Sequence, residues 1–218
     1  MNNQHHELLR GGAEKLSLPI SDKQIGQLLQ FAELILKWNK THNLTAITNP
    51  DEVVSKHLLD SLSICSDFPE GKALDVGSGA GLPGIPLSII NSHQHFTLVD
   101  SSSKRIGFIN EVKRKLALTN VTAIHSRVED LNGMDFDVIT SRAFSSLATM
   151  LDQTQHLLTK DGCWFAMKGT LPTDEINEID DKFNVQKTIK LIVPSLNAER
   201  HIIQIGRTTK IINRLYSI

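Results

Sequence analysis

A doubly wound, mostly parallel α/β sheet of seven strands (71–218) behind a helical N-terminal cap (1–70) is the fold this sequence predicts. Three features carry that expectation. From residue 72 onward, short β-rich runs alternate with helix-patterned segments, and the gaps between most of them can hold a crossover helix. A glycine-rich turn joins the first run to the next helix. Upstream of residue 70 no strand-like run occurs, and the segment reads as helices.

The helical part has two clear starts. Ser21-Asp22-Lys23-Gln24 is a capping box: the hydroxyl accepts from the third helical amide while the Gln side chain returns to the cap. Ile25, Leu28, Leu29, Ala32, Ile35 and Leu36 then recur at helical spacing, an apolar stripe that a neighbour must cover. At Asn49-Pro50-Asp51-Glu52, a capping Asn precedes Pro at the first helical position, and the acids face the positive end of the dipole. The helix that follows is expected to turn Val53, Val54, His57, Leu58, Ser61, Leu62 and Cys65 inward. No Gly/Ser/Pro-rich linker follows it, so this part is read as a cap on the same core.

The β-rich runs are 72–76, 96–100, 121–125, 136–140 and 163–168, with two more around 185–193 and 201–207. No strong helix separates the last two, which predicts an antiparallel hairpin at one sheet edge.

Composition narrows the function classes. The 218 residues carry 23 Lys plus Arg against 24 Asp plus Glu, and 40% are apolar, as in one folded unit of ordinary size. A formal charge of -1 supplies no global attraction to a polyanion, so nucleic-acid contact must come from a local basic surface. No apolar run reaches the ~18 residues of a membrane span. Met1 to Glu7 lacks the basic flank and apolar stretch of a secretory signal, so a cytoplasmic location is expected. Cys65 and Cys163 are far apart, sit in apolar segments and form no CxxC pair, which indicates neither a disulfide framework nor a metal site.

The turn itself reads Asp75-Val76-Gly77-Ser78-Gly79-Ala80-Gly81, followed by Leu82-Pro83-Gly84-Ile85-Pro86-Leu87 at a helix start. Glycines between strand and helix permit positive φ and close approach of a ligand to the backbone. A dinucleotide fingerprint requires G-x-G-x-x-G, but Leu82 occupies the place of its third glycine, which disfavours a nicotinamide cofactor. Asp75 instead suits a cationic ligand such as the amino-acid part of S-adenosylmethionine. Asp100, at the end of the next run, is placed to accept from ribose hydroxyls.

Taken together, the segments Asn43 to Ile47, His57 to Leu62, Asp75 to Leu87, Asp100 to Arg105, Ser126 to Glu129, Ser141 to Phe144 and Lys168-Gly169 resemble the bacterial small-subunit (16S) rRNA guanine-N7 methyltransferases, the glucose-inhibited division protein B family. The likeness covers most of the chain in order, leaving out the termini. It implies a Rossmann-like methyltransferase fold, S-adenosyl-L-methionine as donor and a guanine of 16S rRNA in the small ribosomal subunit as acceptor. It also implies cofactor contacts at Gly77, Leu82, Val128, Glu129 and Arg142, which with Asp75, Gly79, Gly81 and Asp100 make up the expected cofactor site.

The residue types agree with N7 chemistry. Exocyclic-amine methylation commonly uses an Asn/Asp-Pro-Pro-Tyr/Phe loop after the fourth strand, where Ser141-Arg142-Ala143-Phe144 stands here. Carbon-5 methylation of a pyrimidine needs a thiolate, and neither cysteine follows a proline. Ribose methylation typically uses a base; Lys168 is a candidate, but the usual Asp after the fourth strand is missing. Guanine N7 carries a lone pair and no proton, so orientation supplies the acceleration. Arg142 and Lys168 are therefore expected to position the base or its phosphate rather than accept a proton.

Other candidates carry less. His57 on an apolar stripe reads more readily as a satisfied core residue than as a ligand. Val128 and Glu129 follow the third run, where an adenine is clamped in such sheets. Phe144 either stacks on a flipped guanine or fills the core. Phosphates can be met by Lys104, Arg105 and Lys113 to Lys115, or by Arg207, Lys210 and Arg214, although Lys113 to Lys115 read better as a solvated face. A monomer acting on a shaped ribonucleoprotein surface is expected. Other S-adenosylmethionine-dependent methyltransferases, and a non-catalytic assembly factor that binds the cofactor, are the alternative readings.

Overall fold

The computed structural model describes residues 1–142 and 144–208. Seven strands, β1 (Ala73–Val76), β2 (Phe96–Asp100), β3 (Val121–His125), β4 (Phe136–Arg142), β5 (Leu158–Lys168), β6 (Phe183–Leu191) and β7 (Arg200–Arg207), form one sheet. Their order is β3-β2-β1-β4-β5-β7-β6. The first five strands pair in parallel, and β7 runs antiparallel to both β5 and β6. Every β-rich run is a strand, and the last two form the expected edge hairpin. The bounds differ mainly in that β4 runs on to Arg142 and β5 starts back at Leu158.

Eight α-helical segments, α1 (Asn3–Lys15), α2 (Asp22–His42), α3 (Pro50–Val53), α4 (Asp60–Leu62), α5 (Gly84–Ile90), α6 (Ser103–Leu116), α7 (Leu147–Thr154) and α8 (Thr173–Asn177), accompany the sheet among the described residues. The capping box opens α2 as read: Ser21 Oγ accepts from Gln24 N–H at 3.3 Å and Gln24 Oε1 accepts from Ser21 N–H at 3.0 Å. Asn49 Oδ1 likewise accepts from the amides of Asp51 and Glu52, at 2.9 and 3.3 Å. A second box, Asn2 with His5, starts α1.

The helix after Asn49 departs from expectation in its middle. Val54–Leu59, between α3 and α4, is π-helical. A π turn carries an extra residue and rotates whatever follows it, so the simple stripe does not hold. Leu59 and Asp60 join Leu58 and Ser61 on the inside, whereas Cys65 is only partly covered.

Each face of the sheet has its own apolar layer. On one face Leu9 of α1, Ile25, Phe31 and Ile35 of α2, Leu58, and Phe108 and Ile109 of α6 pack with Phe96 and Phe165 of the strands. All of these are fully buried, and each contributes about 1.5–3 kcal/mol by leaving water. On the other face Leu147, Met150 and Leu151 of α7 cover Leu74, Ile139 and Trp164. The helices of the N-terminal segment therefore share the sheet's own core. The strand order reverses between β1 and β4, and in open α/β sheets the crevice beyond the carboxyl ends at such a reversal is where ligands sit.

Candidate functional site

At that crevice the chain turns from β1 into α5 through Gly77, Gly79 and Gly81, with φ of 64°, 55° and 79°. Such left-handed values favour glycine. At Gly77 the reason is also one of space: a Cβ would meet the Phe144 ring edge at 3.2 Å. Gly84 is required by proximity alone, since a Cβ there would stand 2.7 Å from Asp75 Oδ2.

The two acids of the expected cofactor site are held differently. Asp100 accepts from the Gly79 amide and from Arg105 through Oδ2, at 2.9 and 3.3 Å, and from the Ser102 amide through Oδ1 at 2.9 Å. Asp75 lies beneath the turn with no exposure. Its Oδ2 accepts from Gly84 N–H at 2.9 Å, while Oδ1 is buried without a partner among the described residues. Burial pushes this carboxyl up to about 7, against the opposing pull of Gly84 N–H and Arg142.

Two cavities flank the turn. One, of about 280 Å³, is lined by Val76, Gly77, Asp100, Arg105, Val128, Glu129 and Phe144. Val128 and Glu129 begin a single 3₁₀ turn beyond β3, and Val128 packs with Val76 and Phe144. Phe144 thus serves this cavity. The other, of about 440 Å³, is lined by Ile47, Lys56, His57, Asp60, Arg142, Met167, Lys168, Gly169 and Arg200. A smaller recess, of about 200 Å³, shares Gly77 and Arg105 with the first and His57 and Arg142 with the second; Gly79, Ala80 and Leu82 form its wall. The turn and Arg142 therefore lie where the two cavities approach each other.

Arg142, at the end of β4, is fixed from the cap side. Its Nη1 donates to Lys56 O at 3.2 Å and to Asp60 Oδ2 at 3.0 Å, and Nη2 stands 3.4 Å from His57 Nδ1. His57 Nε2 meets Thr45 Oγ1 at 2.9 Å. Burial, with the Arg142 charge beside it, lowers His57 to about 4, so the ring is neutral near pH 7. Lys168 Nζ donates to Glu175 at 2.8 and 3.1 Å and to Ser145 O at 3.2 Å.

The expected residues fall into three groups. Gly77, Asp100, Val128 and Glu129 line the first cavity; Gly79, Leu82 and Arg142 line the recess; Lys168 faces the second cavity, with Arg142. Gly81 shapes the turn, and Asp75 lies under it. His57, read as a core residue, is indeed buried, but it lines both the recess and the second cavity. Asp60 and Arg200 carry no site signal in the sequence: they are 140 positions apart, and no local pattern joins them. Of the basic segments, Arg114 pairs with Glu111 on the surface and Arg105 with Asp100. Lys210 and Arg214, like Ala143 of the motif, lie outside the described residues. Among the described residues no group of three or more His, Cys, Asp or Glu is arranged to hold a metal ion, and no helix is long and apolar enough to cross a membrane.

This arrangement fits a nucleoside sulfonium such as S-adenosylmethionine. A glycine turn with backbone accessible from the crevice, a carboxylate at the end of β2, a Val128 side chain against the first cavity and an unpartnered buried Asp75 oxygen are the features such a ligand uses.

Comparison with known proteins agrees. Residues 24–203 match the model of the family described as rRNA small subunit methyltransferase G (GidB). The ribosomal RNA small subunit methyltransferase G of Alteromonas mediterranea is 45% identical over 199 residues, covering 91% of this chain and 94% of its own. That of Haemophilus influenzae is 47% identical over 188 residues, covering 86% and 93%. Solved structures at lower identity share the fold. One is a ribosomal protein L11 methylase from Lactobacillus delbrueckii, at TM-score 0.56 and 15% identity over 75% of this chain and 81% of the other. Another is a TehB-like SAM-dependent methyltransferase from Corynebacterium glutamicum, at TM-score 0.54 and 14% identity over 82% and 98%. The sheet is that of S-adenosylmethionine-dependent methyltransferases, and the chain belongs to the rRNA small subunit methyltransferase G family.

Proposed function

We propose that this protein transfers the methyl group of S-adenosylmethionine to N7 of one guanine in the 16S rRNA of the small ribosomal subunit. The observation that carries the reading is the recess walled by the glycine turn, which shares Gly77 and Arg105 with the first cavity and His57 and Arg142 with a second cavity lined with cations.

The cofactor supplies a methyl group on a positively charged sulfur. Gly77 and Phe144, with Val128 and Glu129, would hold its nucleoside, Asp100 its ribose, and Asp75 and the turn its charged amino-acid end. Guanine N7 brings a lone pair in the ring plane, so the acceptor has no proton to lose and the positive charge passes to its imidazole ring.

The groups lining the second cavity suit that demand, because none is poised to take a proton. The Lys168 ammonium is held by Glu175 and a carbonyl. Asp60 has one oxygen on Arg142 and the other on Arg200. His57 at about 4 is too weak a base to assist near neutrality. No thiolate is at hand either: burial pushes Cys65 up to about 12 and raises Cys163 as well. What these residues can do is orient. Arg142, tied to Lys56 O, Asp60 and His57, offers a fixed charge beside the acceptor, and such positioning is worth several orders of magnitude in rate.

We further propose that it acts as a cytoplasmic monomer, with segments 1–70 and 71–218 working as one unit on a ribonucleoprotein surface. The test is transfer of tritium from labelled S-adenosylmethionine to small subunits from cells lacking this protein, with borohydride and aniline cleavage to locate N7-methylguanine. One cleavage site per 16S rRNA is expected. Cofactor binding without label in the subunit would instead identify a non-catalytic assembly factor.

A further inference from the structure

Asp60 holds two arginines from different strands. Its Oδ2 accepts from Arg142 Nη1 at 3.0 Å, and its Oδ1 from Arg200 Nε at 2.6 Å. The carboxylate is 2% exposed, while the arginine side chains are 21% and 25% exposed and both line the second cavity. Arg142 comes from the end of β4 and Arg200 from the start of β7, and Asp60 reaches them from α4, just past the π-helical segment.

The donors are not used up. A guanidinium carries five N–H groups. Arg200 spends Nε on Asp60 and Nη1 on Glu199 O, and among the described residues nothing accepts from its Nη2. Arg142 Nε is likewise without an acceptor among them. Four cations, Lys56, Arg142, Lys168 and Arg200, face the cavity against the single carboxylate of Asp60. Glu52 and Glu175 pair with the two lysines, which leaves the arginine pair in excess over Asp60.

The geometry points to a phosphate subsite. Arg142 and Arg200, set at a fixed separation by Asp60, bind one backbone phosphate beside the target guanine, and Asp60 is a positioning residue that never touches RNA. This rests on the reading of the chain as an rRNA methyltransferase. A phosphate fits the site better than the Watson–Crick edge of guanine, whose N1–H and N2–H₂ need acceptors: the cavity's one carboxylate already has both oxygens on arginine. Paired guanidiniums also suit an anion with several acceptor oxygens. Of the two, only Arg142 also borders the recess at the glycine turn, so Arg200 separates acceptor binding from cofactor binding.

The experiment uses the full-length protein, small subunits from cells lacking it, and labelled S-adenosylmethionine. For Arg200→Gln the KM for subunits is expected to rise about ten- to a hundredfold, the range for losing a charge-assisted contact, with cofactor affinity unchanged by calorimetry. The slope of log KM against log salt concentration should flatten by about one phosphate's worth. Asp60→Asn should raise the subunit KM in wild-type background and add less than that to Arg200→Gln, because with Arg200 gone Asp60 fixes only Arg142 and no longer the separation of the pair. A raised KM with an unchanged salt slope would mean that Arg200 reads the base, and an unchanged KM that it reads nothing; either overturns the subsite. Additive effects of the two substitutions overturn the role of Asp60. Failure of the wild-type protein to methylate subunits would refute the methyltransferase reading itself, and is scored separately. Should Asp60→Asn fold poorly, Arg200→Lys decides: it keeps the charge but loses the fork, and should leave the salt slope intact while raising KM.

Discussion

The two cavities are built by opposite means. The first, with the recess beside it, follows the strand ends: the backbone of the glycine turn after β1, Asp100 at the end of β2 and the 3₁₀ turn after β3. The second is made of side chains from the cap, β4, β5 and β7, fixed by ion pairs and one buried histidine. A backbone cradle must keep its shape for a small, unvarying ligand, whereas a side-chain cavity can be set to one site on a large substrate. Substitutions in the two places should separate cofactor affinity from subunit affinity, and Arg142, which borders both the recess at the glycine turn and the second cavity, should affect transfer most.

Arg142→Ala is expected to have the largest effect: single-turnover transfer at saturating subunits and cofactor falls by about a hundredfold or more. Near-normal single-turnover rates would remove Arg142 from the acceptor site.

Next come the two buried titrating groups, one beside each cavity. Asp75 has its pKa raised, from 3.8 to about 7, so the folded state holds a proton that the unfolded chain has lost, and this contribution weakens stability as pH rises between those values. His57 has its pKa lowered, from 6.5 to about 4, so the unfolded chain holds the proton, and this contribution weakens stability as pH falls through that window. In the wild-type protein the two slopes oppose each other. Relative to wild type, Asp75→Asn should therefore lose stability toward acid and His57→Gln toward neutrality, each at a limiting slope of about 1.4 kcal/mol per pH unit. Urea unfolding at several pH values between 4 and 7 checks this. Parallel curves for both variants and wild type would show that the two groups titrate alike in the folded and unfolded chains.

A smaller effect is expected in the backbone cradle. Gly77→Ala places a Cβ against Phe144 in a left-handed conformation, a strain of about 1–2 kcal/mol. Calorimetry should show S-adenosylmethionine binding weakened about tenfold, with subunit affinity unchanged. Lys168→Ala should matter least. Its ammonium is already engaged by Glu175 and Ser145 O, so a loss of a few-fold in subunit KM is predicted, and a hundredfold loss would give Lys168 a direct role in the chemistry.

How far each cavity could be read from the sequence follows the same contrast. The strands, the edge hairpin and the glycine turn are contiguous patterns, and local physics reveals such patterns. Asp75, Gly77 and Asp100 could be named because they stand next to strand ends. Asp60 and Arg200 could not, since their pairing exists only once β7 has inserted between β5 and β6 and the cap has closed on β4. The π-helical turn was equally hidden, because it shifts Asp60 inward without any glycine or proline to mark it. The stripe places His57 in the core, and its burial agrees; what the stripe omits is the Arg142 guanidinium on one side and Thr45 on the other.

The division of labour between the cavities is tested most directly by a crystal structure with S-adenosylhomocysteine. The account predicts the adenine against Val128, the ribose at Asp100 and the sulfur facing the recess between the glycine turn and Arg142, with the second cavity left free for RNA. A nucleoside seated among Lys56, Asp60 and Arg200, with the glycine turn untouched, would contradict it.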